Sequence, residues 1–193
     1  MVTPSMASSQ KFKYRNITVS GKIATGTSTL AKNLKEALGW EYMNTGALQR
    51  KYDRAHGVNE NEHGATLRPD EHERETEAFA KKTLAEKNNI VYEAWLSGFV
   101  AREMKDVLKI LVVCSADSIR IDRVANRDKV SIEEAKRYMH TREQENIAKW
   151  KALYGDYNFW DPKYYDVVID TFSSGQMETL GKALDKLGFV SKI

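Results

Sequence analysis

Gly21 and Gly26 enclose four residues and are followed by Thr27, Ser28 and Thr29, the spacing of a phosphate-binding P-loop. The chemistry such a loop serves is anion binding. Glycine lets the backbone curl so that the N–H groups of Gly21, Ala24, Thr25, Gly26, Thr27, Ser28 and Thr29 can turn inward, and the following helix adds its positive N-terminal end. In the full motif a lysine just before the hydroxyl residue reaches the β- and γ-phosphates, and the hydroxyl holds Mg²⁺. Ser28 keeps the hydroxyl, but Thr27 stands where the lysine belongs. Glycines at this spacing also occur in ordinary turns, so the flanks decide. Ile17-Thr18-Val19 reads as a strand entering the loop, and Leu30 to Leu38 repeats leucine at helical spacing before Gly39 ends it.

The remaining elements must carry such a loop. Trp40 to Asn44, Ile90 to Ala94, Leu108 to Cys114 and Asp166 to Asp170 read as four more strands. Helical patterns run from Gly46 to His56, from a capping Asp70 to about Lys87, and from Ser131 to Tyr154. Asn44-Thr45-Gly46 reads as a turn, and Gly57 to Pro69 as a polar loop. Ser131 with Glu134 makes a capping-box pattern, and the helix behind it is charged almost all round, which predicts poor burial. It suits either a solvated face or a lid over a phosphate site. Five strands alternating with helices predict an α/β fold: a five-stranded parallel sheet in three α/β/α layers, with ligands at the carboxyl ends of the strands. Gly21, Thr45, Glu93 and Ser115 then share one edge.

A chain of 193 residues is most simply one domain with its own core. Thirty basic residues against 27 acidic ones, a formal charge of +3, are too balanced to announce a nucleic-acid or membrane binder. The single cysteine, Cys114, sits in an apolar run; it reads as a buried thiol in a reducing compartment such as the cytosol. No apolar run is long enough for a membrane span, and Met1 to Gln10 lacks the core of a secretory signal. The expected layout is a frayed tail over 1–15 and one domain over 16–190.

Over about residues 16–187 the chain resembles the nucleoside monophosphate kinases, most closely cytidylate kinases of the archaeal type. Ile17-Thr18-Val19-Ser20-Gly21 is similar to that family's strand and loop entry. Asn44-Thr45-Gly46-Ala47-Leu48-Gln49-Arg50 resembles its acceptor-site segment, Asp-Ser/Thr-Gly-Ala-hydrophobic-Tyr-Arg. Arg120 to Asp128, with Thr141-Arg142-Glu143, looks like its arginine-rich lid, and Tyr164 to Thr171 like its last strand. The resemblance implies a P-loop kinase fold with an acceptor-binding insertion over about 44–88 and a helical lid over about 127–160. It implies ATP as donor, Mg²⁺ held by Ser28 and, through water, Glu93, and an acceptor phosphate gripped by Arg50. Arg123, Arg127 and Arg142 inherit the lid's catalytic roles, and Asn44, Thr45 and Gly46 line the acceptor site.

Departures accompany the likeness. The family's Glu-Gly-Arg appears as Glu93-Ala94-Trp95, its lid Arg-Tyr as Lys149-Trp150, and Gln49 stands for tyrosine. Glu93, Trp95 and Lys149 therefore enter the substrate-binding set with altered chemistry, Trp95 and Trp150 as stacking surface for a base. Lys22, second in the loop, is the candidate replacement for the missing charge; a solvated lysine is the alternative. The first expectation is a kinase that transfers the ATP γ-phosphoryl group to cytidylate (CMP or dCMP), as a monomer or homodimer, without nucleic acid or membrane. A nucleotide-binding sensor of the same fold that has lost phosphoryl transfer is the second. A nucleic-acid binder is the third, disfavoured because glutamate is interleaved through the basic segment.

Overall fold

The computed structural model describes residues 12–59 and 61–189. Five strands, β1 (Asn16–Ser20), β2 (Glu41–Asn44), β3 (Ile90–Glu93), β4 (Val107–Val113) and β5 (Val167–Asp170), form one wholly parallel sheet in the order β2-β3-β1-β4-β5. The helices are α1 (Thr27–Leu38), α2 (Thr45–Ala55), α3 (Asp70–Glu86), a single turn α4 (Ser97–Val100), α5 (Asp117–Asp128), α6 (Ile132–Tyr154) and α7 (Gln176–Leu187).

Alternation along the strands builds the layers. Ile17 and Val19 of β1, Val91 of β3 and Leu108, Ile110 and Val112 of β4 point to one face, where Leu30 and Leu34 of α1 and Ala183 and Leu187 of α7 cover them. Ile90, Tyr92 and Val107 point to the other, against Ala80 and Leu84 of α3. This is the three-layer α/β/α arrangement expected from the sequence. Truncating a fully buried leucine such as Leu34 to alanine costs about 2–5 kcal/mol in such a core.

The chain crosses from one half of the sheet to the other about β1, so the loop after β1 opens into the crevice where a parallel sheet binds ligands. Helices α5 and α6 pack on that loop, with Ile23 seated among Val124, Ala135 and Met139. Among the described residues no helix is long and apolar enough to cross a membrane.

Several local expectations change. Residues 1–11 lie outside the described part, but Phe12 packs edge-on against Trp40, Tyr14 is buried, and Arg15 bonds to Asp106 and the carbonyls of Ala85 and Lys87, so the domain includes residues 12–15. Residue 190, its expected end, also lies outside. Asn44-Thr45-Gly46 is not a separate turn: β2 runs straight into α2, whose first turn Asn44 caps by accepting from Ala47 N at 2.8 Å. Asp70 is the first residue of α3 rather than its cap, which is Pro69; its carboxylate instead pairs with Lys149. The capping box at Ser131 is formed. Behind it α6 buries Ala135, Met139, Asn146 and Trp150, a narrow stripe with near-heptad spacing that the abundant charges obscure in the sequence.

Candidate active site

The loop after β1 is shaped by two glycines. A Cβ on Gly21 would lie 2.5 Å from both Thr25 Oγ1 and the Val112 carbonyl, and Gly26 has φ 101°, a left-handed conformation that favours glycine. Ala24 is also left-handed, at φ 57°. Thr25 Oγ1 donates back to the Lys22 carbonyl at 3.1 Å, closing the curl. Helix α1 then starts at Thr27 with no side-chain cap, so the N–H groups of its first turn face a cavity of about 550 Å³.

Glu93, at the end of β3, gathers four donors. Its Oε1 accepts from Ser28 Oγ at 2.5 Å and Thr27 Oγ1 at 3.0 Å; its Oε2 accepts from Asn44 Nδ2 at 2.7 Å and from the Tyr42 hydroxyl. Burial and the neighbouring carboxylate push the Tyr42 hydroxyl well above its usual pKa, so it remains a donor. Among the described residues no three acidic, histidine or cysteine side chains converge on a point. A Mg²⁺ ion at Ser28 and Glu93 fits this donor set provided that phosphate oxygens and water supply the remaining ligands.

Five cations line the same cavity: Lys22, Arg50, Arg123, Arg127 and Arg142. Lys22 Nζ lies over the Trp160 ring, 5.1 Å from its centroid. Arg123 is turned to the loop itself, donating to the Ala24 carbonyl and to Thr171 Oγ1, each at 3.0 Å. Arg127 is held by Asp128 through two bonds of 2.6 and 2.7 Å. Arg142 lacks such a carboxylate, and its buried Nε has no hydrogen-bond partner among the described residues. Burial, then the charges of Arg127 and Arg50, lower its pKa to about 10. A guanidinium so placed calls for an anion.

A second cavity, of about 100 Å³, adjoins the first. Gly46, Arg50, Ala94, Trp95 and Arg142 line both. Arg68, Glu73 and Asn146, which the sequence reading did not select, also line the second cavity. Arg68 is fixed by Asp53 through two bonds of 2.7 Å and by Glu73 at 3.2 Å, and Trp150 Nε1 donates to Glu73 at 3.1 Å. The loop before α3 docks on α6: Gly64 N donates to Glu145 at 2.6 Å and Ala65 N to Asn146 Oδ1 at 2.7 Å.

Most sequence-selected residues meet here, with four exceptions, one of them Trp150, which lines only the second cavity. Thr25 is buried and does not line the cavity, because its hydroxyl is used within the loop. Thr45 reaches only the second cavity, where its hydroxyl donates to Tyr92 at 2.7 Å. Lys149 lines neither; it binds Asp70 and the Arg68 carbonyl, at 2.8 Å to the latter, and so secures the loop carrying Arg68. Asn44 spends its amide on the α2 cap and Glu93, and Trp150 sits edge-on to Trp95 at 5.5 Å.

A profile of the cytidylate kinase-like family matches residues 16–173, which is most of the chain. The chain belongs to that family. Among its relatives, the cytidylate kinase of Methanothrix thermoacetophila is 35% identical over 170 residues, covering 87% of this chain and 95% of that protein. The cytidylate kinase of Methanosarcina mazei is 32% identical over 166 residues, covering 85% and 91%. In solved structures the fold recurs in a gluconokinase from Sinorhizobium meliloti, with TM-score 0.62 and 16% identity over 93% of this chain and 94% of that one. It recurs in shikimate kinase from Acinetobacter baumannii, with TM-score 0.53 and 15% identity over 93% and 96%. Identities this low speak to the fold alone. Family membership makes the protein a phosphotransferase of cytidylate-kinase-like type, and the sensor alternative finds no support among these relatives.

Proposed function

We propose that the protein transfers the γ-phosphoryl group of ATP to cytidylate, CMP or dCMP, with Mg²⁺. The observation that carries this reading is the shared wall of the two cavities. Arg50 and Arg142 stand where the loop-side cavity meets the second one, the position at which a donor and an acceptor phosphate would come together. Phosphoryl transfer needs little covalent help from a protein; it needs alignment and charge stabilisation.

The parts divide accordingly. The amides of the loop and of the first turn of α1 hold the β- and γ-phosphates. Ser28 and Glu93 are the residues that would hold Mg²⁺, and the ion would supply charge neutralisation for phosphoryl transfer. Lys22 leaves the Trp160 ring for the donor phosphates and stands in for the absent lysine. Arg50 grips the acceptor phosphate, and Arg142 spans donor and acceptor, where its unpartnered Nε finds an oxygen. No general base is required, because the acceptor phosphate, with a second pKa near 6, is already anionic at neutral pH. Arg123 acts as a positioning residue through Ala24 and Thr171. Arg127 contributes to the field from its pairing with Asp128.

The acceptor-binding region, about 44–88, and the lid, about 127–160, meet where the loop at Gly64 and Ala65 touches α6. We place the reaction in the cytosol, in keeping with a buried, unpaired Cys114. A coupled assay for ADP release with each common nucleoside and deoxynucleoside monophosphate tests the reading. Acceptor-dependent turnover, greatest with a cytidine nucleotide, supports it; ATP binding without acceptor-dependent turnover contradicts it.

A further inference from the structure

Resting on the phosphotransfer reading just given, we propose that Arg120 is a positioning residue of the donor site. From behind the loop after β1 it helps to hold the loop's carbonyls outward, so that the amides facing the cavity are set for phosphate before any nucleotide arrives.

The back of the loop is fastened carbonyl by carbonyl. Thr25 Oγ1 donates to the Lys22 carbonyl at 3.1 Å, Arg120 Nε to that of Ile23 at 2.9 Å, Arg123 to that of Ala24 at 3.0 Å, and Thr171 Oγ1 to that of Thr25 at 2.7 Å. Four successive carbonyls are held in this way. Two of the partners are guanidiniums three residues apart on α5, hence on one face of that helix. Thr171 is tied to the sheet in its turn, its N–H donating to the Val113 carbonyl at 2.9 Å.

A peptide unit is planar and trans, so its C=O and N–H point in opposite directions. Holding the carbonyls of Lys22, Ile23 and Thr25 outward turns the N–H groups of Ile23, Ala24 and Gly26 the other way, toward the cavity that these three residues line. The N–H of Thr25 is the exception, bonding to the Lys22 carbonyl at 3.5 Å. The loop would not keep this shape unaided. Ala24 has φ 57°, a left-handed conformation that is costly for a residue with a Cβ and persists where the surroundings enforce it. With threonine at the lysine position, phosphate binding leans more heavily on these amides, and their fixed direction spares the cost of ordering them on binding.

Arg120 is placed to hold the loop and not to touch a ligand. It is 6% exposed and lines neither cavity; its terminal nitrogens pair with Asp117 at 2.9 Å and with Glu143 of α6. Glu143 adjoins Arg142, so one buried guanidinium joins the back of the loop to the helix that carries a cavity cation.

The test measures binding without turnover: calorimetry with pyrophosphate and with ADP, both free of magnesium, in the wild type, Arg120→Met/Glu143→Met and Glu143→Met. The double variant removes the donor to Ile23 together with the opposite charge, so a loss of affinity does not reflect a weaker field for anions. It should weaken both ligands by about tenfold or more, and raise the KM for ATP while the KM for the acceptor stays put. Glu143→Met leaves Arg120 on the Ile23 carbonyl and should bind both ligands as the wild type does. Should the double variant fail to fold, Arg120→Lys keeps a charge at the Glu143 end without the Nε donor, and should show the same loss. Wild-type affinity in these Arg120 variants, or an equal loss in Glu143→Met, overturns the assignment. So does a wild type that binds MgATP but not pyrophosphate, because the loop would then not be ready in advance. A wild type that binds neither removes the phosphotransfer reading itself, and this role with it.

Discussion

Thr27 Oγ1 donates to Glu93 Oε1 across 3.0 Å, so the residue standing at the loop's lysine position is tied to the acid that ends β3. Ser28 donates to the same oxygen at 2.5 Å. Threonine at the lysine position thus braces the carboxylate beside the hydroxyl that we propose would hold Mg²⁺. On the proposed reading positive charge reaches the triphosphate from elsewhere, with Lys22 and Arg142 among the cations that line the cavity.

Removing the brace should matter less than removing the hydroxyl beside it. Thr27→Val deletes one hydrogen bond, worth about 1 kcal/mol, and leaves the Ser28 contact, so turnover should fall by less than about tenfold. Ser28→Ala should reduce turnover far more and raise the Mg²⁺ concentration needed for half-maximal rate. Magnesium titrations of both variants check this; equal effects would contradict the division of roles.

Lys22 sits over the Trp160 ring and lines the loop-side cavity, so the ring and a phosphate bound there, as proposed, compete for it. Lys22→Ala should lower kcat/KM for ATP by about 10²-fold, the usual cost of losing one well-placed charged donor. MgATP should change tryptophan emission in the wild type and change it less in the variant. Unchanged ATP kinetics would remove Lys22 from the mechanism.

Arg142 should show a conflict between stability and activity. Its buried Nε lacks a partner, and like charges on Arg127 and Arg50 surround it, so without ligand its charge opposes folding. Arg142→Met should melt at or above the wild-type temperature yet lose about 10²- to 10³-fold in turnover. Because burial and like charges hold the folded-state pKa, about 10, below the unfolded value, the penalty is present at neutral pH and shrinks as pH rises through 10. Melting curves for both proteins between pH 8 and 10.5 should therefore converge from below for the wild type. A variant much less stable than the wild type would contradict this.

The strands and the phosphate loop were legible because their signals are local: β-branched runs, paired glycines, and leucines at helical spacing. All five strands lie within about two residues of the sequence reading, and the loop's hydroxyl and the Arg50 and Arg142 guanidiniums meet in one cavity. The buried cluster of Asp53, Arg68 and Glu73 was not legible. Asp53 and Glu73 belong to helices rich in charge, and nothing in their spacing separates a buried acid from a solvated one; only tertiary pairing with Arg68 does. Tyr42 was within reach, since it lies two residues before Asn44 on the same face of β2 and so beside Glu93. Lys149 was assigned to substrate by analogy with an arginine, but the bond to the Arg68 carbonyl gives it a supporting role.

That supporting role has its own signature. Lys149→Ala frees the loop that carries Arg68, and should raise KM for the acceptor several-fold while kcat and the KM for ATP change little. Steady-state kinetics varying each substrate in turn check it. A dominant loss in kcat would return Lys149 to the reacting groups.

The most direct measurement follows the label from ATP carrying γ-³²P, incubated with Mg²⁺ and cytidylate in a single turnover. Appearance of the label in cytidine diphosphate, suppressed in Arg142→Met, is the predicted result. Label recovered only as inorganic phosphate, or still in ATP, would contradict phosphoryl transfer by this site.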